Sequence, residues 1–195
     1  NVSEPVYPQL LIEPPANDIS TETTFPKIET SYSFTKDMFH VNGFAGYNTY
    51  MIKQFQGSDE TVSAALIGAS FGVSPGAFFL NGELYYALNP MEYGLAEYYN
   101  SNVPALYNPS DSSITDVNSW GGLGVIGFKF NDMFTAEAGY GYTQYELDTS
   151  GADSVANQSY YINASVTLVP GFFIVPEIGI LDLEEIGEND NDIVY

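Results

Sequence analysis

The residues in this chain that could do chemistry are charged and amide side chains set at alternate positions. Lys27 and Glu29 are two apart, as are His40 and Asn42, and Asn81 and Glu83; Asn48, Lys129, Glu137, Asn163 and Glu177 occupy the same phase of their own segments. Charges on one face of an extended chain create a field for ions and small polar solutes rather than a catalytic constellation. Nothing in their spacing selects one carboxylate pair for acid–base work, so no enzyme is expected. His40 is the only histidine and there is no cysteine, so a zinc site would have to rest on carboxylates. Gly122, Gly124 and Gly127 match the dinucleotide-loop spacing, yet they fall inside an alternating stretch with no helix to follow, which argues against a nucleotide site. The run Glu188-Asn189-Asp190-Asn191-Asp192 offers oxygen ligands for Ca²⁺ but lacks the glycine and terminal glutamate of a calcium loop. It reads as a solvated acidic loop, and no cofactor is expected.

The elements that must hold these side chains are strands. From Met133 to Tyr145 the even positions are Phe134, Ala136, Ala138, Tyr140 and Tyr142, and the odd ones include Thr135, Glu137, Gly139, Gly141 and Thr143. From Tyr160 to Val169 the pattern repeats, with Tyr160, Ile162, Ala164, Val166 and Leu168 against Asn163, Ser165 and Thr167. One face suits lipid and the other is small and polar. Segments of roughly 9–11 residues with this dyad period are the signature of a transmembrane β-barrel. Glu83, Glu137 and Glu177 lie within strand interiors, where a charge facing lipid costs up to about 2–4 kcal/mol. All eleven polar residues are therefore expected to line the inside of a pore.

Composition closes other classes. The 195 residues carry 25 Asp+Glu against four Lys+Arg, a net charge of −21. Phosphate binding needs cationic groups, so nucleic acid is excluded as a partner, as is polybasic attraction to anionic lipid. Sixteen Tyr, 13 Phe and 18 Gly favour strands and turns. No apolar run reaches about 18 residues, so no transmembrane helix is expected. Alternating faces average out in hydropathy, which leaves the barrel reading untouched.

Taken in order, residues 1–24 read as a Pro-rich acidic loop. Eight strands follow over 25–185, joined pairwise by tight turns at Lys36-Asp37, Ser74-Pro75-Gly76, Asn131-Asp132 and Pro170-Gly171. Residues 186–195 read as a further acidic loop that ends in Ile193-Val194-Tyr195, a run suited to the start of another strand. The stretch 90–117 reads as a long loop whose tyrosines either fold into the pore or stay at the surface. Phe34, Phe39, Phe71, Phe78, Phe130, Phe134 and Phe172 gather at the tight turns, while Tyr47, Phe55, Tyr86, Tyr142 and Tyr160 lie about one membrane thickness away. Two such belts mark membrane interfaces. Tight turns on one side and acidic loops on the other predict periplasmic turns and extracellular loops. Both ends of an eight-stranded sheet would then be extracellular, so the chain is expected to be an internal piece of a longer barrel.

The motifs Pro26-Lys27-Ile28-Glu29, Phe44-Ala45-Gly46-Tyr47-Asn48-Thr49-Tyr50, Gly127-Phe128-Lys129-Phe130, Glu137-Ala138-Gly139-Tyr140-Gly141-Tyr142 and Phe173-Ile174-Val175-Pro176-Glu177 resemble strands of large outer-membrane porins. The resemblance runs over roughly 25–185 and is nearest to porins of sulfate- and metal-reducing bacteria. It implies a barrel of about sixteen strands, often trimeric, sitting in lipid and lipopolysaccharide and passively admitting small hydrophilic solutes. The net acidity of lumen and loops adds a preference for cations. Two other readings remain open at this point. One is a complete eight-stranded barrel with a structural or anchoring role. The other is a secreted acidic β-sandwich that binds carbohydrate or calcium.

Overall fold

A computed structural model describes residues 20–55, 58–95, 115–148, 154–183 and 191–195. Within them the chain is an antiparallel meander. Its strands are β1 (Ser20–Lys36), β2 (Phe39–Phe55), β3 (Ser58–Val73), β4 (Phe78–Leu88), β5 (Val117–Lys129), β6 (Phe134–Leu147), β7 (Ser154–Val169), β8 (Phe172–Ile174), β9 (Glu177–Leu183) and β10 (Asn191–Val194). Neighbours in sequence are neighbours in the sheet, from β1 through β7 to β9 and β10, with the short β8 also paired to β7. A single 3-10 turn, Pro90–Tyr93, follows β4.

The expected count of eight strands is corrected to nine positions in the sheet. Val166 pairs with Ile174 and Asn163 with Glu177, so the register runs unchanged across the gap between β8 and β9. Pro176 has no N–H to give and breaks the ladder there without bending the path; its carbonyl still accepts from Ala164 N–H at 3.2 Å. β10, four residues long, adds the ninth position, beginning at Asn191, ahead of the further strand expected from Ile193. β1 likewise begins at Ser20, inside the stretch 1–24 expected to be loop, because β2 is long enough to pair Lys53 with Ser20. Pro26 falls between Phe25 and Ile28, where that pairing shifts register, the position in a strand that tolerates a missing N–H.

The four tight turns form where expected, the first displaced by one residue to Asp37-Met38. Left-handed backbone closes three of them, at Asp37 (φ 51°), Gly76 (φ 69°) and Gly171 (φ 84°). The fourth is closed by a side chain: Asn131 Oδ1 accepts the N–H groups of Met133 and Phe134 at 2.8 and 2.9 Å. A β-branched residue at Gly76 is forced into a conformation that costs about 1–2 kcal/mol. Gly76→Val is accordingly expected to lower the urea midpoint of unfolding from detergent, whereas Ser74→Thr, outside the left-handed position, leaves it unchanged.

The sheet is one layer thick. Among the described residues the buried apolar cluster is only Tyr50 and Val62, with Ile52 against them. Register then decides which residues share a face. Val73, Leu80, Ile126, Ala138, Ile162 and Ile178 form one continuous cross-strand row, and Ile67, Tyr86 and Trp120 another. This face is apolar from β1 to β10 and exposed: Leu84 is 64 %, Ile162 59 % and Ile178 56 % accessible. An apolar surface of that extent does not persist in water on a monomer. The sandwich reading needs a second sheet over it, and no second sheet exists among the described residues.

The aromatic belts lie on the same face. Phe128, Phe130 and Phe134 touch near the tight turns, with centroids 5.0 and 5.2 Å apart. Toward the other end Trp120 meets Tyr142 at 5.0 Å and Tyr140 meets Tyr160 at 5.1 Å. The hydroxyls there find polar partners, Tyr86 donating to Asn118 at 2.8 Å and Tyr160 to Gln158 at 2.7 Å. Phe39 to Tyr47, Phe78 to Tyr86 and Phe134 to Tyr142 each span eight residues, about 26 Å at ~3.3 Å per residue. That matches the ~25 Å apolar band of a membrane barrel before tilt is counted. Strands of 16 and 17 residues run on past the loop-side belt.

Candidate channel-lining face

The opposite face carries the polar residues. Register aligns His40, Gly72 and Asn81 in one row, Asn42, Ser70 and Glu83 in the next, and Gly127, Glu137, Asn163 and Glu177 in a third. Glu29 pairs with Gly46, Asn48 with Ala64 and Lys129 with Thr135. Lys27 joins the set through its ion pair with Glu29 at 3.0 Å. All eleven residues singled out from the sequence thus share one face, because an antiparallel ladder keeps each paired residue on the side of its partner.

Both cations on this face are already engaged. Lys27 contacts Glu29, donates to the Glu92 carbonyl oxygen at 3.1 Å and lies 4.3 Å from the centre of the Tyr93 ring. Lys129 reaches Asp132 in the adjoining turn at 2.9 Å, and that ammonium holds the Asp132 carboxyl below the usual range. Glu83, Glu137 and Glu177 have no ammonium among the described residues within ion-pair distance. Asn163 instead bridges two of them, its Nδ2 donating to Glu137 at 2.9 Å and to Glu177 at 3.1 Å. The amide fixes both carboxylates without cancelling their charge.

Glycines keep this wall flat. The rings of Phe44, Phe79, Tyr85 and Tyr161 lie where a Cβ would stand on the cross-strand partners Gly68, Gly127, Gly121 and Gly139. Ring over glycine turns a large side chain along the sheet instead of away from it. Of the dinucleotide-like glycines only Gly127, under Phe79, belongs to this arrangement; Gly122 and Gly124 fall on the apolar face, Gly122 against Leu84 and the β4 backbone and Gly124 in open space, all within β5.

Sequence reasoning missed one group. After β4 the chain turns onto the polar face rather than away from it. Asn89, left-handed at φ 51°, is clamped by its side chain to the Ser63 carbonyl (2.7 Å), to Asp116 (2.8 Å) and to the Val117 N–H (3.0 Å). Glu92 is buried and accepts from Asn48 Nδ2 at 3.1 Å. Tyr93 packs where a Gly46 side chain would be, and Tyr145 donates to the Leu95 carbonyl at 2.7 Å. Burial pushes the Glu92 carboxyl up, and pushes the Tyr93 hydroxyl up to about 12. Of the loop tyrosines expected over 90–117, Tyr93 lies on this face; Tyr98, Tyr99 and Tyr107 fall outside the described residues, as does most of the acidic run considered for calcium. The Asn-Pro step at 89–90 marked a break in the strand, but no periodicity reveals where a loop folds back.

No protein-family model matches the chain, and no curated protein matches its sequence. A solved structure does match in shape: the outer membrane channel DcaP of Acinetobacter baumannii, with a TM-score of 0.71 over 92 % of this chain at 10 % identity. The fold is similar to that of an outer-membrane channel. The match covers 52 % of the DcaP chain, so the chain studied spans about half the length of that protein.

Proposed function

We propose that this sheet is part of the wall of a water-filled outer-membrane channel that passes small hydrophilic solutes by diffusion and prefers cations. The observation that carries the reading is the single layer with two unlike faces held over nine strand positions, apolar with aromatic belts on one side and polar on the other. Among the described residues β1 and β10 each pair on one side only, and hydrocarbon leaves no solvent for unpaired backbone groups. In the proposed channel those two edges are paired as the wall closes. The tight turns face the periplasm and the acidic connections the outside, the asymmetry usual for such barrels. The apolar face meets lipid and lipopolysaccharide, and the homotrimer implied by the porin resemblance would pack through part of that face.

Cation preference follows from the charges left over once Lys27 and Lys129 are engaged, namely Glu83, Glu137 and Glu177. Reconstituted in planar bilayers under a salt gradient, the channel is expected to give a reversal potential of cationic sign, shrinking as ionic strength rises. A potential of anionic sign overturns the preference. The ring-over-glycine arrangement gives a second test. In Gly139→Ala the three atoms nearest the added methyl all belong to Tyr161, whose side chain must lift away from the wall. The variant is expected to fold, with a loss of about 1–3 kcal/mol typical of overpacking, and to show a lower single-channel conductance than wild type. Unchanged conductance would mean that the Tyr161 ring does not border the permeation path.

A further inference from the structure

The segment 89–95 lies against the polar face and is held there by contacts to strands that are not its neighbours in sequence. Lys27 from β1 reaches the Glu92 carbonyl, Asn48 from β2 the Glu92 carboxylate, and Tyr145 from β6 the Leu95 carbonyl. The Tyr93 hydroxyl lies 3.4 Å from the Ala64 carbonyl of β3. Gly46 leaves room for the Tyr93 ring, whose nearest atom would stand 2.7 Å from an added Cβ. At the centre of these contacts is Glu92, a residue only 7 % exposed.

We propose that Glu92 is a positioning residue whose buried carboxyl latches segment 89–95 onto the channel wall, so that this segment sets the narrowest section beside Lys27 and Tyr93, and that acidification tightens the latch. The inference rests on the channel reading above. Its pH sense comes from burial. A carboxylate taken out of water loses hydration that the Asn48 amide only partly replaces. The Lys27 ammonium, nearby, is already shared between Glu29 and a backbone oxygen. Burial therefore raises the latched carboxyl above the ordinary value of 4.5, while a released, hydrated Glu92 returns to it. The state with the higher affinity for protons gains as pH falls, so latching is strongest below the ordinary glutamate value and weakens as pH rises through the latched one. The other ionisable groups facing the segment are Lys27 and Glu29 on β1, Tyr47 and Tyr50 on β2, Asp116 before β5, Tyr145 on β6 and the segment's own Tyr93.

The test uses the full chain folded in detergent and then in planar bilayers, as wild type, Glu92→Gln and Glu92→Ala. Glu92→Gln keeps the acceptor for Asn48 and cannot ionise; Glu92→Ala has no acceptor. Hydrogen exchange over 89–95 at fixed pH is expected to show protection in wild type and Glu92→Gln and its loss in Glu92→Ala. Single-channel conductance is expected to fall in wild type as pH is lowered from neutral toward the ordinary glutamate value, to stay low and flat with pH in Glu92→Gln, and to stay high in Glu92→Ala. Equal protection in Glu92→Ala and wild type overturns the latch, as does a wild-type pH profile retained in Glu92→Gln. A wild type that folds with 89–95 protected yet conducts no ions overturns the channel reading, and with it the constriction, while leaving the exchange contrast intact.

Discussion

Ala138→Arg is expected to weaken folding of the sheet into a bilayer severely, while Glu137→Lys, one residue away, is expected to cost little. Ala138 stands midway between the belt residues Phe134 and Tyr142, in the row that joins Ile126 to Ile162. An arginine there stands between Ile126 and Ile162 and meets hydrocarbon near the midplane, at about 2–4 kcal/mol. That is a large part of a stability of ~5–15 kcal/mol. Glu137 points the other way, and replacing it forfeits one hydrogen bond to Asn163, worth about 1 kcal/mol or somewhat more because it is charged. Urea-dependent folding into lipid vesicles measures both. A loss in Glu137→Lys as large as in Ala138→Arg would mean that the two faces do not differ as register places them.

The triple replacement of Glu83, Glu137 and Glu177 by Gln is expected to abolish most of the cation preference without unfolding the sheet. Gln retains an acceptor for Asn163, so the bridge across β6, β7 and β9 survives in neutral form. A unit charge about 7 Å from a passing ion in water is worth ~0.6 kcal/mol, roughly a threefold change in local cation concentration. Three such charges act in the same direction, and salt screens them. The reversal potential should therefore move toward zero in the triple variant and part of the way in each single one. If it does not move, the selectivity resides in the acidic connections between strands rather than on this face.

Much of this was legible beforehand because a strand has a period of two. Once Phe134, Ala136 and Ala138 are placed toward lipid, Glu137 has only one side left, and the same holds for Asn81 beside Leu80. The tight turns were legible for a local reason as well: Asp37, Gly76 and Gly171 tolerate left-handed backbone, and Asn131 closes its own turn with its side chain. Strand limits were less so. Composition marked 1–24 and 186–195 as loop, but pairing does not consult composition, and β1 and β10 form because β2 and β9 present open ladders to them. The break at Pro176 looked like part of one strand and is one crossing in register, though divided in its hydrogen bonds.

By itself, then, the sequence determined the dyad alternation, the absence of thiols, and the face on which each strand residue falls, since these depend on composition or on the two-residue repeat. Only the tertiary structure decided what depends on which strands become neighbours. Asn163 holds Glu137 and Glu177 together although they are 40 residues apart in sequence. Phe79 and Tyr161 lie flat because glycines stand opposite them. Glu92 is buried because β1, β2, β3 and β6 converge beneath segment 89–95. Cross-strand register is a property of the assembled ladder, and no local repeat encodes it.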